Sequence, residues 1–233
     1  MLNEPEIIPM DFLEKIASSF YNNLIAGDAY LVVMKGMLTT VMLSLLALLF
    51  GTILGAVFCG TRLSGRKFLE VPVRIITTML LGSPVTLLLM LLYYVVFANS
   101  RTDALIIAIL AFTLHTGAHV SEIMRSALGV LSRREWEASR MLGFSELAAF
   151  RHITLPQAWK IAKPVYQNTI VNLIQWTSVV GYVTITDLTR TLNNVGSRTG
   201  DPFFALFFGI LIYMVLSWMV HGLFSIRGKR GVA

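Results

Sequence analysis

The chain contains five windows without a charged residue, and these windows constrain its fold more than any other feature. They cover residues 36–61, 75–100, 104–121, 164–186 and 202–226. A bilayer core about 30 Å thick requires roughly 20 apolar residues of helix, so windows of this length are typical of membrane spans. Charged residues make up 14% of the chain, against about 25% in soluble domains. The pattern predicts an all-α integral membrane protein with five transmembrane helices.

The segments that connect the windows differ in charge, and this difference predicts orientation. On one side, 14 basic residues oppose 5 acidic ones, and on the other, 5 basic residues oppose 8 acidic ones. Cytoplasmic loops carry an excess of Lys and Arg. We therefore expect the N-terminus outside the cell and the C-terminus in the cytoplasm.

The segment before the first window predicts a helix on the outer membrane surface. Apolar residues recur at helical spacing from Phe12 to Ile25, with charged residues among them. No signal peptide is evident, so the first span is expected to target the chain. We divide the chain into an amphipathic segment (1–29), a transmembrane domain (30–226) and a basic cytoplasmic tail (227–233).

Two of the windows carry residues that alter helix geometry. Gly51 and Gly55 form a GxxxG pair, which lets a second helix approach the first span closely. Gly82, Ser83 and Pro84 interrupt the second window, where proline removes a backbone donor. A kink or break is expected there, either in a transport pathway or as a feature of packing alone.

A long cytoplasmic segment, residues 122–163, joins the third and fourth windows, and loops of this length are usually functional. Its centre, residues 131–157, predicts two short helices with a hinge. Gly143 is expected to end the first helix in a left-handed conformation, and Ser145 to cap the second. Pro156 is expected to stop the second helix or to turn the chain back towards the membrane.

The same segment resembles the coupling motif of permease subunits in ATP-binding-cassette importers. The matching residues are Glu137, Ala138, Ser139, Gly143, Ile153, Leu155 and Pro156. Their spacing fits throughout, although Ser139 stands where a second alanine is usual. Further matches over roughly residues 34–225 extend the resemblance to the polar amino acid uptake family: Gly36-x-x-x-Thr40, Gly82-Ser83-Pro84, Ser121-Glu122-Ile-x-Arg125, Leu155-Pro156-Gln157-Ala158, Thr177-Ser178 and Asp187-Leu188-Thr189-Arg190.

The resemblance implies a non-catalytic, multi-pass permease subunit of a bacterial cytoplasmic (inner) membrane. In that family two permease subunits, identical or paralogous, form the pathway for a polar amino acid or similar solute. Their coupling segments dock on two ATPase subunits, which bind ATP and Mg, and an extracytoplasmic binding protein delivers the solute. This chain would bind no cofactor, and its lack of a GxxxxGK[ST] phosphate loop agrees with that division.

Polar side chains in the fourth window are candidates for the solute pathway, because such groups are costly inside a bilayer. Asn168, Asn172 and Gln175 share one helical face, although helix-to-helix hydrogen bonds would explain them equally well. The complete set of candidate pathway residues is His119, Asn168, Asn172, Gln175, Trp176, Thr177 and Ser178.

The fourth window also departs from the family pattern. Many relatives have an acidic residue at the position of Thr169 and a Lys-Asp pair at those of Gln175 and Trp176. A carboxylate that could pair with a cationic amino acid is therefore missing from this span. Either the solute is not strongly basic, or a partner subunit supplies the recognition.

A rival interpretation comes from the third window. His115, His119 and Glu122 fall on one stripe of a helix, and two histidines with a carboxylate can bind a transition metal. The alternative is a membrane metal-binding protein or metalloenzyme, but no second ligand cluster or HExxH motif supports it. We expect His119 to face the pathway or a subunit interface, and Glu122 to pair with Arg125.

The charge asymmetry yields a test of topology. A membrane-impermeant thiol reagent added from outside should modify a cysteine substituted for Ser197 and spare one substituted for Ser132. The opposite labelling pattern would invert the orientation and remove the coupling segment from the cytoplasm.

Overall fold

The computed structural model describes residues 10–25, 28–130 and 133–226, and these ranges are helical with no β-strand. The α-helices are α1 (Met10–Phe20), α2 (Ala29–Leu63), α3 (Lys67–Gly82), α4 (Val85–Leu91), α5 (Ala104–Val130), α6 (Arg133–Met141), α7 (Glu146–Ala149), α8 (Leu155–Trp176), α9 (Leu188–Thr199) and α10 (Pro202–Ile226). Short π-helical turns follow α1, α4 and α7, and a 3₁₀ helix, Thr177–Val183, follows α8. The predicted all-α class is confirmed. The predicted tail, 227–233, lies outside the described residues.

Three of the described helices, α2, α5 and α10, are long and apolar enough to cross a membrane. They contain the first, third and fifth windows. A fourth candidate is the pair formed by α3 and the helical stretch 85–96, which together meet the same criteria but are bent by 109°. The fourth window does not form one regular helix, because α8 ends at Trp176 and continues as the 3₁₀ helix.

The predicted interruption of the second window is confirmed, and it is a complete break. α3 ends at Gly82, Ser83 and Pro84 are extended, and α4 begins at Val85. The Ser83 hydroxyl donates to the Leu80 carbonyl at 3.2 Å, which satisfies one acceptor that the end of α3 leaves unpaired. The chain therefore changes direction within the apolar window, and Ser83 and Pro84 alone connect the two helices.

The most extensive helix–helix contact joins α2 and α5, and glycines make it possible. A Cβ added at Gly55 would lie 2.7 Å from the Val120 Cβ and 2.8 Å from the Gly117 carbonyl oxygen. One added at Gly51 would lie 2.9 Å from the Thr116 Cβ. The close approach predicted from the GxxxG pair is therefore confirmed.

The N-terminal helix α1 and the π turn after it pack against the start of α10 and the turn that precedes it. Phe20 packs edge-on against Phe204 and Phe208. The side chain of Asn23, which is fully buried, donates to the Asp201 carboxylate at 3.0 Å, and the Ser19 hydroxyl donates to the same carboxylate. These hydrogen bonds, that of Ser19 above all, lower the pKa of Asp201. The helix predicted at the N-terminus is thus part of the packed fold.

The glycine contact predicts that the helix pair tolerates no larger side chain at Gly55. Gly55→Val should destabilise the protein by about 1–3 kcal/mol, because the added methyl groups overlap Val120. Gly60→Val on the same helix is the matched control, since a Cβ there meets nothing within 4 Å. Thermal unfolding of the two purified variants measures the difference, and equal melting temperatures would contradict the packing described.

Candidate coupling segment and solute pathway

The predicted coupling segment contains two helices, α6 and α7, joined by a turn, and we call this unit the hairpin. Its turn has the conformation that the local sequence predicts. Gly143 has φ +81°, the left-handed conformation that glycine adopts without strain. Ser145 caps the following helix, and its hydroxyl accepts from the Ala148 N–H at 3.4 Å. Both expectations are confirmed. Residues 131 and 132, the first two of the predicted segment, lie outside the described residues.

The expectation that Pro156 stops the second helix was wrong, because a helix passes through it, and the alternative, a turn of the chain back towards the membrane, stays a prediction. α7, the π-helical turn Phe150–Thr154 and α8 form one continuous helix from Glu146 to Trp176. In a regular α-helix the proline ring collides with the carbonyl four residues earlier. The π turn immediately before Pro156 shifts the hydrogen-bonding pattern from i−4 to i−5, which makes room for the ring. Local rules for proline did not anticipate this adjustment.

The residues around the turn of the hairpin include apolar side chains that are largely exposed. Met141 is 90% exposed, Leu142 76% and Leu147 77%. Glu137 and Ala138 of the motif are also exposed, whereas Ser139 is buried. Contiguous exposed apolar residues on an otherwise polar segment are typical of a protein-binding surface.

The predicted polar face of the fourth window lies on the open side of α8. Asn168 and Gln175 are exposed and Asn172 is half-buried. Gln175 also lines a groove of about 700 Å³ beside α10, together with Asn193 and Tyr213. The exposed parts of this face, at Asn168 and Gln175, are open to a partner or to water, which polar groups within a membrane require.

Next to this face, Trp176 packs against both histidines of the third window, which also contact each other. Its ring centroid lies 4.7 Å from that of His115 and 5.2 Å from that of His119. Below this cluster, α3, α5 and α8 enclose a cavity of about 360 Å³, and its walls include His119, Glu122 and Thr169. Of the residues at which the fourth window departs from the family pattern, Thr169 lines this cavity and Trp176 contacts His119 in its wall, whereas Gln175 lines the groove beside α10.

The predicted stripe of His115, His119 and Glu122 does not form a metal site. The Glu122 carboxylate accepts from Arg62 Nη1 at 2.8 Å and from Arg125 Nε at 3.2 Å. Across the described residues, no group of three or more His, Cys, Asp or Glu side chains is arranged to hold a metal ion. The pair of Glu122 with Arg125 is confirmed, and nothing supports the rival metal-binding interpretation.

Three separated pieces of the family pattern meet in one buried polar cluster. Thr40 accepts from the Leu188 N–H at 3.1 Å, and the Thr189 hydroxyl lies 2.9 Å from that of Tyr213. The Tyr213 hydroxyl also interacts with the side chains of Thr40 and Thr177. Thr177 is fully buried, and Ser178 partly so. Their place in the pathway stays a prediction.

Asp187 lies at one end of this cluster, where its hydrogen bonds hold the start of α9. Its carboxylate, which is fully buried, caps α9 by accepting from the backbone N–H groups of Arg190 at 3.0 Å and Thr189 at 3.1 Å. Burial raises the pKa of Asp187, and these two hydrogen bonds oppose the rise. The backbone approaches α2 so closely that a Cβ at Gly36 would lie 2.9 Å from the Asp187 carbonyl oxygen.

Comparison with known proteins identifies the family. A model of the family described as "Binding-protein-dependent transport system inner membrane component" matches residues 47–230. The chain belongs to this family of inner-membrane transport components. The resemblance to importer permeases is thereby confirmed, as is the inner-membrane location.

Two curated relatives illustrate the similarity. A probable amino-acid ABC transporter permease of Bacillus subtilis is 28% identical over 84% of this chain and 87% of its own length. The permease HisM of the histidine/lysine/arginine/ornithine transport system of Salmonella typhimurium is also 28% identical, over 93% of this chain and 96% of its own length.

Solved structures show the same fold. A crystal structure of an amino acid ABC transporter with histidines matches with a TM-score of 0.79 at 23% identity, and covers 95% of this chain and 99% of its own. An inward-facing structure of the MetNI methionine ABC transporter matches with a TM-score of 0.70 at 18% identity, and covers 89% and 99%. At these identities the likeness concerns the fold of the transport component.

Sequence reasoning missed two residues that organise the transport component. Arg62 entered only as a charge that sets orientation, yet it pairs with Glu122 and joins α2 to α5. Tyr213 stood in an apolar window with no motif around it, yet its hydroxyl lies in the buried polar cluster. A tyrosine or arginine within or beside a span indicates that another polar group of the protein pairs with it. The sequence alone does not show which group that is.

The Asp187 cap yields a prediction for stability. Asp187→Ala should destabilise the protein by about 1–2 kcal/mol or more, because two buried N–H groups lose their acceptor. Asp187→Asn keeps one acceptor oxygen and should lose less. Asp103→Ala is the matched control, since Asp103 accepts from the Leu105 N–H at 2.7 Å in an exposed position that water can fill. Thermal unfolding that ranks Asp103→Ala as the most harmful of the three would contradict this account.

Proposed function

We propose that this chain is the permease subunit of an ATP-driven importer for a polar amino acid or a similar small solute. The observation that carries the proposal is the coupling hairpin, in which Glu137, Ala138 and three apolar side chains near the glycine turn are exposed. The proposed docking element consists of Glu137, Ala138, Ser139, Gly143, Ile153, Leu155 and Pro156. It would sit in a groove on a separate ATPase subunit.

Five spans follow if the fourth window crosses as a composite. The apolar part of α8, residues 164–176, rises about 20 Å at 1.5 Å per residue. The 3₁₀ helix Thr177–Val183 adds about 14 Å at roughly 2 Å per residue. Together they match a hydrocarbon core about 30 Å thick. With the broken pair α3–α4 as the second span, the charge asymmetry places the N-terminus outside and the hairpin in the cytoplasm.

The open polar face of α8 supports a second permease subunit. Asn168, Asn172 and Gln175 lie too deep in the apolar window to face lipid at low cost. A second copy or a paralogue, placed against this face, would enclose a polar pathway between the two subunits. His119, Trp176, Thr177 and Ser178 complete the proposed pathway set, of which His119 lines the cavity beside Thr169.

The remaining parts of the importer are assigned to other chains. Two ATPase subunits would bind ATP and Mg, and an extracytoplasmic binding protein would deliver the solute, so that this chain is non-catalytic and binds no cofactor itself. The names of the relatives support an amino acid as solute. Within the cavity, Thr169 in place of an acidic residue argues against a strongly basic one.

Reconstitution with purified partners tests the proposal. The chain alone should hydrolyse no ATP, and the complex with its ATPase should hydrolyse ATP faster when loaded binding protein is added. Hydrolysis by the isolated chain, or failure of the chain to join any ATPase through the hairpin, would overturn it.

A matched pair of variants tests the hairpin itself. Gly143→Val places a β-branched side chain at φ +81°, which costs about 1–2 kcal/mol and distorts the turn. Gly200→Val carries the same strain at φ +71° where α9 ends. Membrane insertion should survive in both. ATP-driven uptake should fall sharply for Gly143→Val alone, and equal uptake by the two variants would remove the coupling role of the turn.

A further inference from the structure

A second large groove lies between α2, α5 and α8, and apart from Leu155 at one end its lining residues have no part in the proposed transport cycle. Its volume is about 530 Å³, and its walls are almost wholly apolar, including Cys59, Gly60, Ala127 and Trp159. The hydroxyls of Thr52 and Tyr166, at its deep end, hydrogen-bond to each other at 2.8 Å. The groove therefore offers a polar ligand nothing to bind, and its occupant must be apolar.

The groove opens on the side of α8 that faces away from the proposed pathway. Trp159 and Tyr166 line it, and each lies nine positions before a residue of the polar face, Asn168 and Gln175 respectively. At 100° per residue, nine positions correspond to two and a half turns of helix. Residues nine positions apart therefore lie on opposite sides of α8. A partner permease on the polar face leaves the groove facing the bilayer.

Basic side chains follow the lining residues at the end of the groove nearest the coupling segment. Leu63 ends α2 and lines the groove, and the exposed Arg66 and Lys67 follow three and four positions later. Phe150 also lines the groove, and the exposed Arg151 follows. Lining residue Trp159 is 49% exposed, as is typical of an aromatic ring at the membrane interface.

We propose that this groove binds an acyl chain of an anionic phospholipid from the cytoplasmic leaflet, with the headgroup held by Arg66, Lys67 and Arg151. An apolar slot that opens to lipid fits the chain, and a basic rim at headgroup depth fits a phosphate. The cytoplasmic placement of the rim rests on the orientation given under the proposed function.

Photolabelling of the permease–ATPase complex in vesicles tests the proposal. The probes are phosphatidylglycerol and phosphatidylcholine that carry the same photoactivatable acyl chain. Peptides from the groove walls of α2 and α8 should be labelled, about tenfold more by phosphatidylglycerol. Arg66→Gln combined with Lys67→Gln should abolish this preference and preserve labelling by phosphatidylcholine. Equal labelling of the parent by both lipids would overturn the anionic assignment.

Filling the groove provides the decisive variant. Gly60→Leu projects a side chain into it without a clash, since a Cβ there meets nothing within 4 Å, and should remove most of the labelling. Gly222→Leu on α10 is equally free of contacts and should leave labelling unchanged. Ala56→Phe, at another lining position, is a second filler should Gly60→Leu fail to assemble. Labelling that persists in the assembled filler variant would overturn the site.

Two further readouts separate this proposal from the proposed function. A photoreactive amino acid at Trp159 that joins the chain to a second permease, and not to lipid, would overturn lipid as the occupant. ATP hydrolysis stimulated by loaded binding protein is measured on the same samples. A filler variant that loses labelling but retains ATP hydrolysis supports the lipid site. A parent complex that is labelled but never hydrolyses ATP would contradict the transport assignment and leave the lipid site supported.

Discussion

The close approach of α2 and α5 is the interaction on which the rest of the structure depends. Between membrane helices the surrounding lipid is as apolar as the side chains, so association relies on tight packing. Gly51, Gly55 and Gly117 provide that packing, because each leaves space that a neighbour fills to within about 3 Å of a potential Cβ. Arg62 and Glu122 fasten the same two helices at one end. α8 packs on α5 and α9 on α2, so both take their positions from this pair.

The buried polar cluster explains why residues far apart in the chain belong to one family pattern. Gly36 and Thr40 on α2 form the surface on which the turn before α9 rests, and Asp187 holds that turn in shape. Each polar atom there is costly in an apolar setting unless its partner is present. The residues of the family pattern around Asp187 therefore have a structural role, whereas the open face of α8 and the exposed hairpin are the surfaces proposed for solute and partner subunits.

The sequence predicted the features that depend on neighbours along the chain. The charge-free windows, the break at Pro84, the left-handed Gly143 and the cap at Ser145 each follow from a few consecutive residues. Features that depend on contacts across the fold were not predictable in the same way. The π turn that accommodates Pro156, the Arg62 partner of Glu122 and the hydroxyl of Tyr213 in the polar cluster all require the positions of other helices. The proposed pathway is harder still to predict, because in the proposed function one of its walls would belong to another chain.

The unbroken helix from Glu146 to Trp176 has a mechanical consequence. Its 31 residues, 4, 5 and 22 in its three parts, have a length of about 45 Å along the helix axis at 1.5 Å per residue. One end adjoins the exposed turn at Gly143, and the other ends beside His115 and His119, where the backbone narrows to a 3₁₀ helix. If the stretch moved as one body, a tilt of about 5° at the hairpin would displace the Trp176 ring by about 4 Å over that length. In the proposed function the helix would then be a lever arm, which converts a small push at the docking element into a displacement comparable to the width of a side chain.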